Sequence, residues 1–205
     1  MKGLVLLART LFLGLLLAGC LAPSESTSPM PPEAVHATQL TPAEWAALSR
    51  PGPSHQLLDL FVGEWNTRMT FWSAPDVEPQ VSSGSSTSSW VLGQRFIRED
   101  FEGQALGEKM QGIGIMGYDN GAGRFINVWI DSLNTAMATA TGKYLAKQNR
   151  FEFVGEVYDP LLSRMKQTRS YIQILSADQY DFLMFDTGAD GREFKALEIK
   201  YVRKK

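Results

Sequence analysis

SHQLLDLFVGEWNTRMTF, residues 54–71, changes its hydrophobic period at Gly63. Before that glycine, Leu57, Leu58, Phe61 and Val62 recur at helical spacing and form one apolar face, with Ser54 as the expected cap. Gly63 is the expected helix stop. After it, Trp65, Met69 and Phe71 share a parity, which places them on one face of a strand. The chain therefore passes here from a short helix into a β-domain.

Working outward towards the C-terminus, the alternation persists. Nine or ten strands are expected, at 64–73, 80–92, 94–102, 109–118, 124–131, 136–144, 149–157, 165–175, 178–186 and 193–203. Asp119-Asn120-Gly121 and Gly188-Ala189-Asp190-Gly191 carry hairpin-loop chemistry, and Asp159-Pro160 opens another turn. Phe151, Phe153 and Val157 share a face, and Leu197, Ile199 and Tyr201 alternate with Glu198 and Lys200. One wet face and one buried face is the pattern of antiparallel strands. No helix-length segment interrupts the series to make a parallel crossover. The expected fold class is all-β, an antiparallel up-and-down barrel with one or two short N-terminal helices; a sandwich is the competing architecture. The low-complexity run SSGSSTSS, 82–89, is read as an edge or rim strand. Gly112, Gly114 and Gly117 in one strand signal bends or the close approach of another group.

Towards the N-terminus the expected division is 1–19, 20–40, 41–62 and 63–205. Residues 41–62 hold the short helices: Thr41 caps, Pro42 takes the first helical position and Glu44 closes a capping box. Residues 21–40 are rich in Pro and Ser and lack Lys and Arg, which describes an extended tether. Residues 1–19 carry Lys2 and Arg9 before a short apolar stretch, the layout of a secretory signal. Leu17-Ala18-Gly19-Cys20 resembles the lipobox of bacterial lipoproteins. That resemblance implies lipidation of Cys20, a membrane anchor and a cell-envelope location, facing the periplasm from the outer membrane if the organism is Gram-negative. Leu21 stands where an Asp would favour inner-membrane retention.

The position of Gly63-Glu64-Trp65 after a short helix, with Arg203 near the end of the last strand, resembles the lipocalin-like or calycin arrangement. In that group a first-strand Trp packs at the closed end of the barrel under an Arg, so Trp65 and Arg203 are expected to be structural. The runs HQLLDLFVGEW, SSTSSWVLGQRFI, GIGIMGYDNGAGRFINVWIDS and EFKALEIKYVRKK resemble domain-of-unknown-function family 1579. This covers about residues 54–205 and implies a calycin-like barrel without an assigned activity.

The formal net charge of −2 is the wrong sign for nucleic acid, and no nucleic-acid partner is expected. One cysteine and two histidines, His36 in the tether and His55 in a helix, leave no thiolate or histidine metal cluster, and no metal or cofactor is expected. A strand histidine for haem is missing. No Gly-x-Ser-x-Gly elbow and no phosphate-cradling loop occur, so an enzyme is not expected.

The candidate ligand-binding residues are Asn127, Trp129, Asp131, Arg95, Arg169 and Tyr171. Asn127, Trp129 and Asp131 share a parity with Phe125, and together they offer an apolar surface with polar ends. Ile126, Val128 and Ile130 on the opposite face are more apolar, so which face is buried stays open. Arg95 and Arg169, the latter with Tyr171, are candidates to meet a carboxylate or phosphate inside the barrel; the alternative is that each is a surface arginine. The leading function is binding a small hydrophobic or amphipathic molecule. Its rivals are a side-chain-filled interaction barrel and an enzyme using barrel-lining Asp, Arg and Tyr residues. Glu99 with Asp131 is a further candidate pair for acid/base work.

Overall fold

The computed structural model describes residues 39–105, 107–159, 163–188 and 191–205; Cys20, the signal segment, His36 and nearly all of the tether lie outside them. Helix α1 is Pro42–Ser49, α2 is Pro53–Gln56, and a 3₁₀ turn covers Leu57–Phe61. The strands are β1 Gly63–Phe71, β2 Gln80–Val91, β3 Phe96–Ala105, β4 Glu108–Asp119, β5 Arg124–Asp131, β6 Ala138–Leu145, β7 Arg150–Asp159, β8 Arg164–Ser176, β9 Gln179–Thr187 and β10 Glu193–Arg203. Each pairs antiparallel with its chain neighbours, and β1 pairs with β10, closing a ten-stranded up-and-down barrel. Closure leaves no unpaired edge.

Helix α1 begins as its residues dictate. Thr41 N donates to Glu44 Oε2 at 2.7 Å, and Glu44 N donates to Thr41 Oγ1 at 3.3 Å. The apolar run after it is not one α-helix capped by Ser54: Gly52 precedes α2, and the chain tightens into the 3₁₀ turn. In a 3₁₀ turn residues three apart lie above one another. Leu58 and Phe61 are so placed, and both enter the barrel core as a plug.

The serine-rich run is not an edge. β2 pairs with β1 over Gln80–Ser88 and with β3 over Ser85–Val91, and Ser86 and Ser88 are buried in the interior. β3 starts later than its sequence suggests, because Leu92, Gly93 and Gln94 all take positive φ and make the turn into it. Such a run of left-handed residues cannot extend a strand.

Two ends of the barrel are distinguishable. The capped end receives the helices and the start of β1. The open end carries the β1–β2, β3–β4, β5–β6, β7–β8 and β9–β10 connections. Leu58, Phe61, Trp65, Phe125, Phe151, Phe153, Ile172, Ile174 and Tyr180 form the core near the cap. Their rings interlock edge to face, as between Phe61 and Tyr180 at 5.1 Å and between Phe125 and Phe151 at 5.0 Å.

Candidate functional site

At the capped end the Gly-x-Trp sequence has a direct physical reading. Trp65 is fully buried, and its Nε1 donates to Phe61 O at 2.8 Å. The Arg203 guanidinium lies 4.1 Å over the indole ring. It donates to Val62 O at 2.7 Å, Leu60 O at 3.2 Å and Ala177 O at 3.0 Å. Gly63 has φ +132°, and a Cβ there would sit 2.3 Å from Arg203 Nη1. The glycine is thus required twice over, by backbone and by space. This cluster ties the plug, the first strand and the last strand together.

Deeper in, the walls become polar. Ile97, Glu99 and Phe101 share the inward face of β3, with Ile97 and Phe101 buried. Cross-strand register sets Glu99 opposite Ser88 on β2 and Gly114 on β4. Ser86 is one inward step from Ser88, and Thr67 on β1 faces Gly84 one inward step further. Thr67 Oγ1, Ser86 Oγ and Glu99 Oε1 are all buried without a hydrogen-bond partner of acceptable geometry. They occupy three adjoining strands. Groups of this kind are normally satisfied, by protein, water or ligand.

Burial pushes the Glu99 carboxyl above its ordinary 4.5, a shift that nearby Ser86 and Tyr201 partly oppose. Tyr201 and Tyr180 are pushed well above 10.0 by burial and then by the Glu99 charge. Glu99 as a residue is half-buried, while its Oε1 is out of reach of solvent. Trp129, Ala140, Phe182, Met184 and Leu197, which face inward between Glu99 and the open end, are likewise only half-buried.

Trp129 occupies the route to Glu99. A Cβ on Gly112 would lie 2.3 Å from the Trp129 ring, and one on Gly114 would lie 3.5 Å from the ring and 3.4 Å from Glu99. The two glycines thus clear a bed on which the indole lies flat. Its Nε1 donates to Asp131 Oδ2 at 2.9 Å, and Asp131 Oδ1 accepts from Leu133 N and Asn134 Nδ2. Asp131 is thereby committed to the rim rather than coupled to Glu99. At the same end Lys166 Nζ sits 2.9 Å from Asp159 and 2.8 Å from Asp186. Burial acts to lower the lysine's pKa, but the two carboxylates outweigh it and raise it above 10.5.

Of the residues expected to bind a ligand, Asn127, Trp129 and Asp131 face inward, in line with buried Phe125; Ile130 on the other face is 39 % exposed. Arg95, Arg169 and Tyr171 do not join them, which corrects the expectation that these arginines reach the interior. Arg95 lies in the β2–β3 turn and donates to Leu92 O and Gly93 O. Arg169 and Tyr171 have the parity opposite to buried Ile172 and Ile174, so they stand on the outer wall. There Arg169 pairs with Glu193 at 2.6 Å and stacks on Tyr171 and Phe185. His55 is buried at the cap, where Nδ1 accepts from Gly52 N at 3.1 Å; burial lowers its pKa. Two surface clefts, about 270 and 290 Å³, lie outside the wall, one over β6 and β7 and the other beside His55 and Arg95. Neither receives an unpartnered buried polar atom. Among the described residues no group of three or more His, Cys, Asp or Glu is arranged to hold a metal.

Sequence reasoning passed over Ser86, Thr67, Tyr201 and the Lys166 cluster, and took Glu99 only as a partner for Asp131. A signal for Glu99 was present: it shares its parity with Ile97 and Phe101.

The family model for proteins of unknown function, DUF1579, matches residues 50–203. The chain belongs to this family. No curated protein sequence matches it significantly. Among solved structures it is similar to Rv2717c from M. tuberculosis, with a TM-score of 0.57 and 13 % identity over 76 % of this chain and 100 % of that one. It is also similar to the S-type phycobiliprotein lyase CPES from Guillardia theta, with a TM-score of 0.51 and 14 % identity over 74 % of this chain and 93 % of that one. At these identities the likeness is one of fold. This DUF1579 barrel shows no catalytic motif of the kinds sought.

Proposed function

We propose that the barrel holds a small hydrophobic or amphipathic molecule, entering at the open end and lying between Trp129 and the walls of β8–β10. One observation carries this reading. Glu99, a half-buried carboxyl, faces into the barrel beside the hydroxyls of Ser86 and Tyr201, on a wall otherwise built of apolar side chains. A barrel of about this size has room for one small ligand. Apolar walls with a few convergent polar groups are the ordinary build of a ligand site. The phycobiliprotein lyase named above shares the barrel fold.

We further propose that the chain works in the cell envelope, tethered through a lipid on Cys20. The lipobox-like Leu17-Ala18-Gly19-Cys20 after a short apolar segment supports this reading. Cys20→Ser is expected to abolish palmitate labelling, and persistent labelling of the variant refutes the anchor. Native mass spectrometry of the full chain, extracted gently from its membrane, is expected to show a bound small molecule. A bare chain mass in every preparation counts against the binding reading.

A further inference from the structure

Helix α1 contributes nothing to the core. None of its residues is buried, and Trp45, with Leu48 one turn on and on the same side, is 61 % exposed. So short a helix is marginal in water by itself. This one is nonetheless built and held: the capping box starts it, and Asn120 Nδ2, in the β4–β5 turn, donates to Leu48 O at 2.9 Å and Arg50 O at 2.8 Å. The β2–β3 turn shows the same disregard for burial. Leu92 at its tip is 73 % exposed with φ +51°, a conformation that Asn or Gly takes at lower cost. Leu48 and Arg95 line one cleft, so α1 and this turn are neighbours on the capped end. Arg50 follows the helix and Arg95 follows the turn, and neither forms an ion pair among the described residues. The nearby carboxylates are engaged locally: Glu44 turns back on Thr41, and Asp119 accepts from Gly121 N and Ala122 N.

We infer that the capped end docks on an anionic lipid surface, with Trp45, Leu48 and Leu92 in the headgroup layer and Arg50 and Arg95 on phosphates. This rests on the Cys20 anchor proposed above and adds the face that the anchored protein turns to the membrane. Trp sits well at the boundary between headgroups and acyl chains, where its ring is amphipathic in the same sense as its surroundings. Exposed apolar side chains gain by entering that layer, and a guanidinium matches phosphate oxygens in charge and geometry. The order of the chain points the same way. Residues 21–40 join Cys20 directly to α1, so with Cys20 acylated the contact is intramolecular and a weak attraction suffices. The open end of the barrel then faces away from the bilayer.

The test uses the full chain, extracted from its membrane and reconstituted into vesicles of phosphatidylglycerol and phosphatidylcholine, part of the latter brominated near its headgroups as a contact quencher. Trp45 is the first tryptophan in the chain, so nothing before it contributes to the signal. Tryptophan emission of the wild type is expected to be quenched, and most of that quenching to be lost in Trp45→Phe. Leu92→Asn suits the same backbone angle and is expected to lower the quenching while the barrel stays folded, as circular dichroism reads it. Replacing phosphatidylglycerol by unbrominated phosphatidylcholine is expected to lower it too. A chain that floats with the vesicles but is quenched equally in wild type and Trp45→Phe overturns the docking and leaves the anchor standing. Quenching unchanged without phosphatidylglycerol overturns the anionic surface. A Trp45 emission that shifts with protein concentration in the absence of vesicles gives this face to a second copy of the chain and overturns the lipid assignment. A chain that does not float with the vesicles overturns both anchor and docking.

Discussion

At the capped end Leu58, Trp65, Phe151 and Phe153 are essentially free of solvent contact, and Arg203 locks them beneath a lid of carbonyls. Towards the open end, inward-facing Trp129, Ala140, Met184 and Leu197 keep part of their surface, and Glu99 is half-buried. The same wall, with the same strand period, encloses both halves. Side-chain size makes the difference. Large rings and a 3₁₀ plug fill the first half, whereas Gly84, Gly103, Gly112 and Gly114 stand on the walls of the second. The first half supplies the stability, and the second keeps more of its side chains in partial contact with solvent.

That contrast can be broken most sharply at Trp65. Trp65→Ala removes a fully buried indole and the seat of Arg203, and is expected to cost about 3–5 kcal/mol. Urea unfolding followed by far-ultraviolet circular dichroism reads the loss; a variant within about 1 kcal/mol of wild type shows that the capped half does not carry the stability. A smaller effect is expected at Gly112. A methyl there meets the Trp129 ring at 2.3 Å, so Gly112→Ala must displace the indole at about 1–3 kcal/mol. The displacement should break the bond to Asp131 and alter the Trp129 emission, measured against a Trp129→Phe control. Unchanged emission means the glycine bed is not what positions the indole.

The mildest probe is pH. Burial raises the Glu99 carboxyl above 4.5, so between that value and its folded value the native state holds more protons than the unfolded one. Stability from this group is fully present below 4.5 and falls as pH rises through the folded pKa. Glu99→Gln removes the group, so the variant's stability is expected to fall less with pH over that window. Parallel wild-type and variant profiles of Tm against pH would place Glu99 in contact with solvent.

Much of the wall was legible in the residues. The change of period at Gly63, the turn chemistry at Asp119-Asn120-Gly121 and the alternation of Leu197, Ile199 and Tyr201 mark the strands within a few residues of their observed ends. The turn before β3 was misplaced because positive φ at Leu92 and Gln94 has no strong residue signature. The site was less legible. On β5 both faces carry apolar residues, so parity could not say whether Trp129 or Ile130 faces in. Arg169 and Tyr171 were assigned inward although they stand one residue out of step with Ile172. The serines of β2 look like a flexible run, since nothing local tells a hydroxyl that its neighbours across the sheet will be Glu99 and Thr67.

By itself the sequence determined the period of each segment, the helix start at Thr41 and the places where the chain turns, because these depend on residues a few positions apart. The tertiary structure alone decided which face became the interior, that β1 meets β10, and that Glu99 on β3 comes beside Ser86 on β2 and Tyr201 on β10. Those outcomes rest on pairings between distant parts of the chain. In Trp65 opposite Arg203, the closure that buries the core also fixes which polar atoms end up inside the wall.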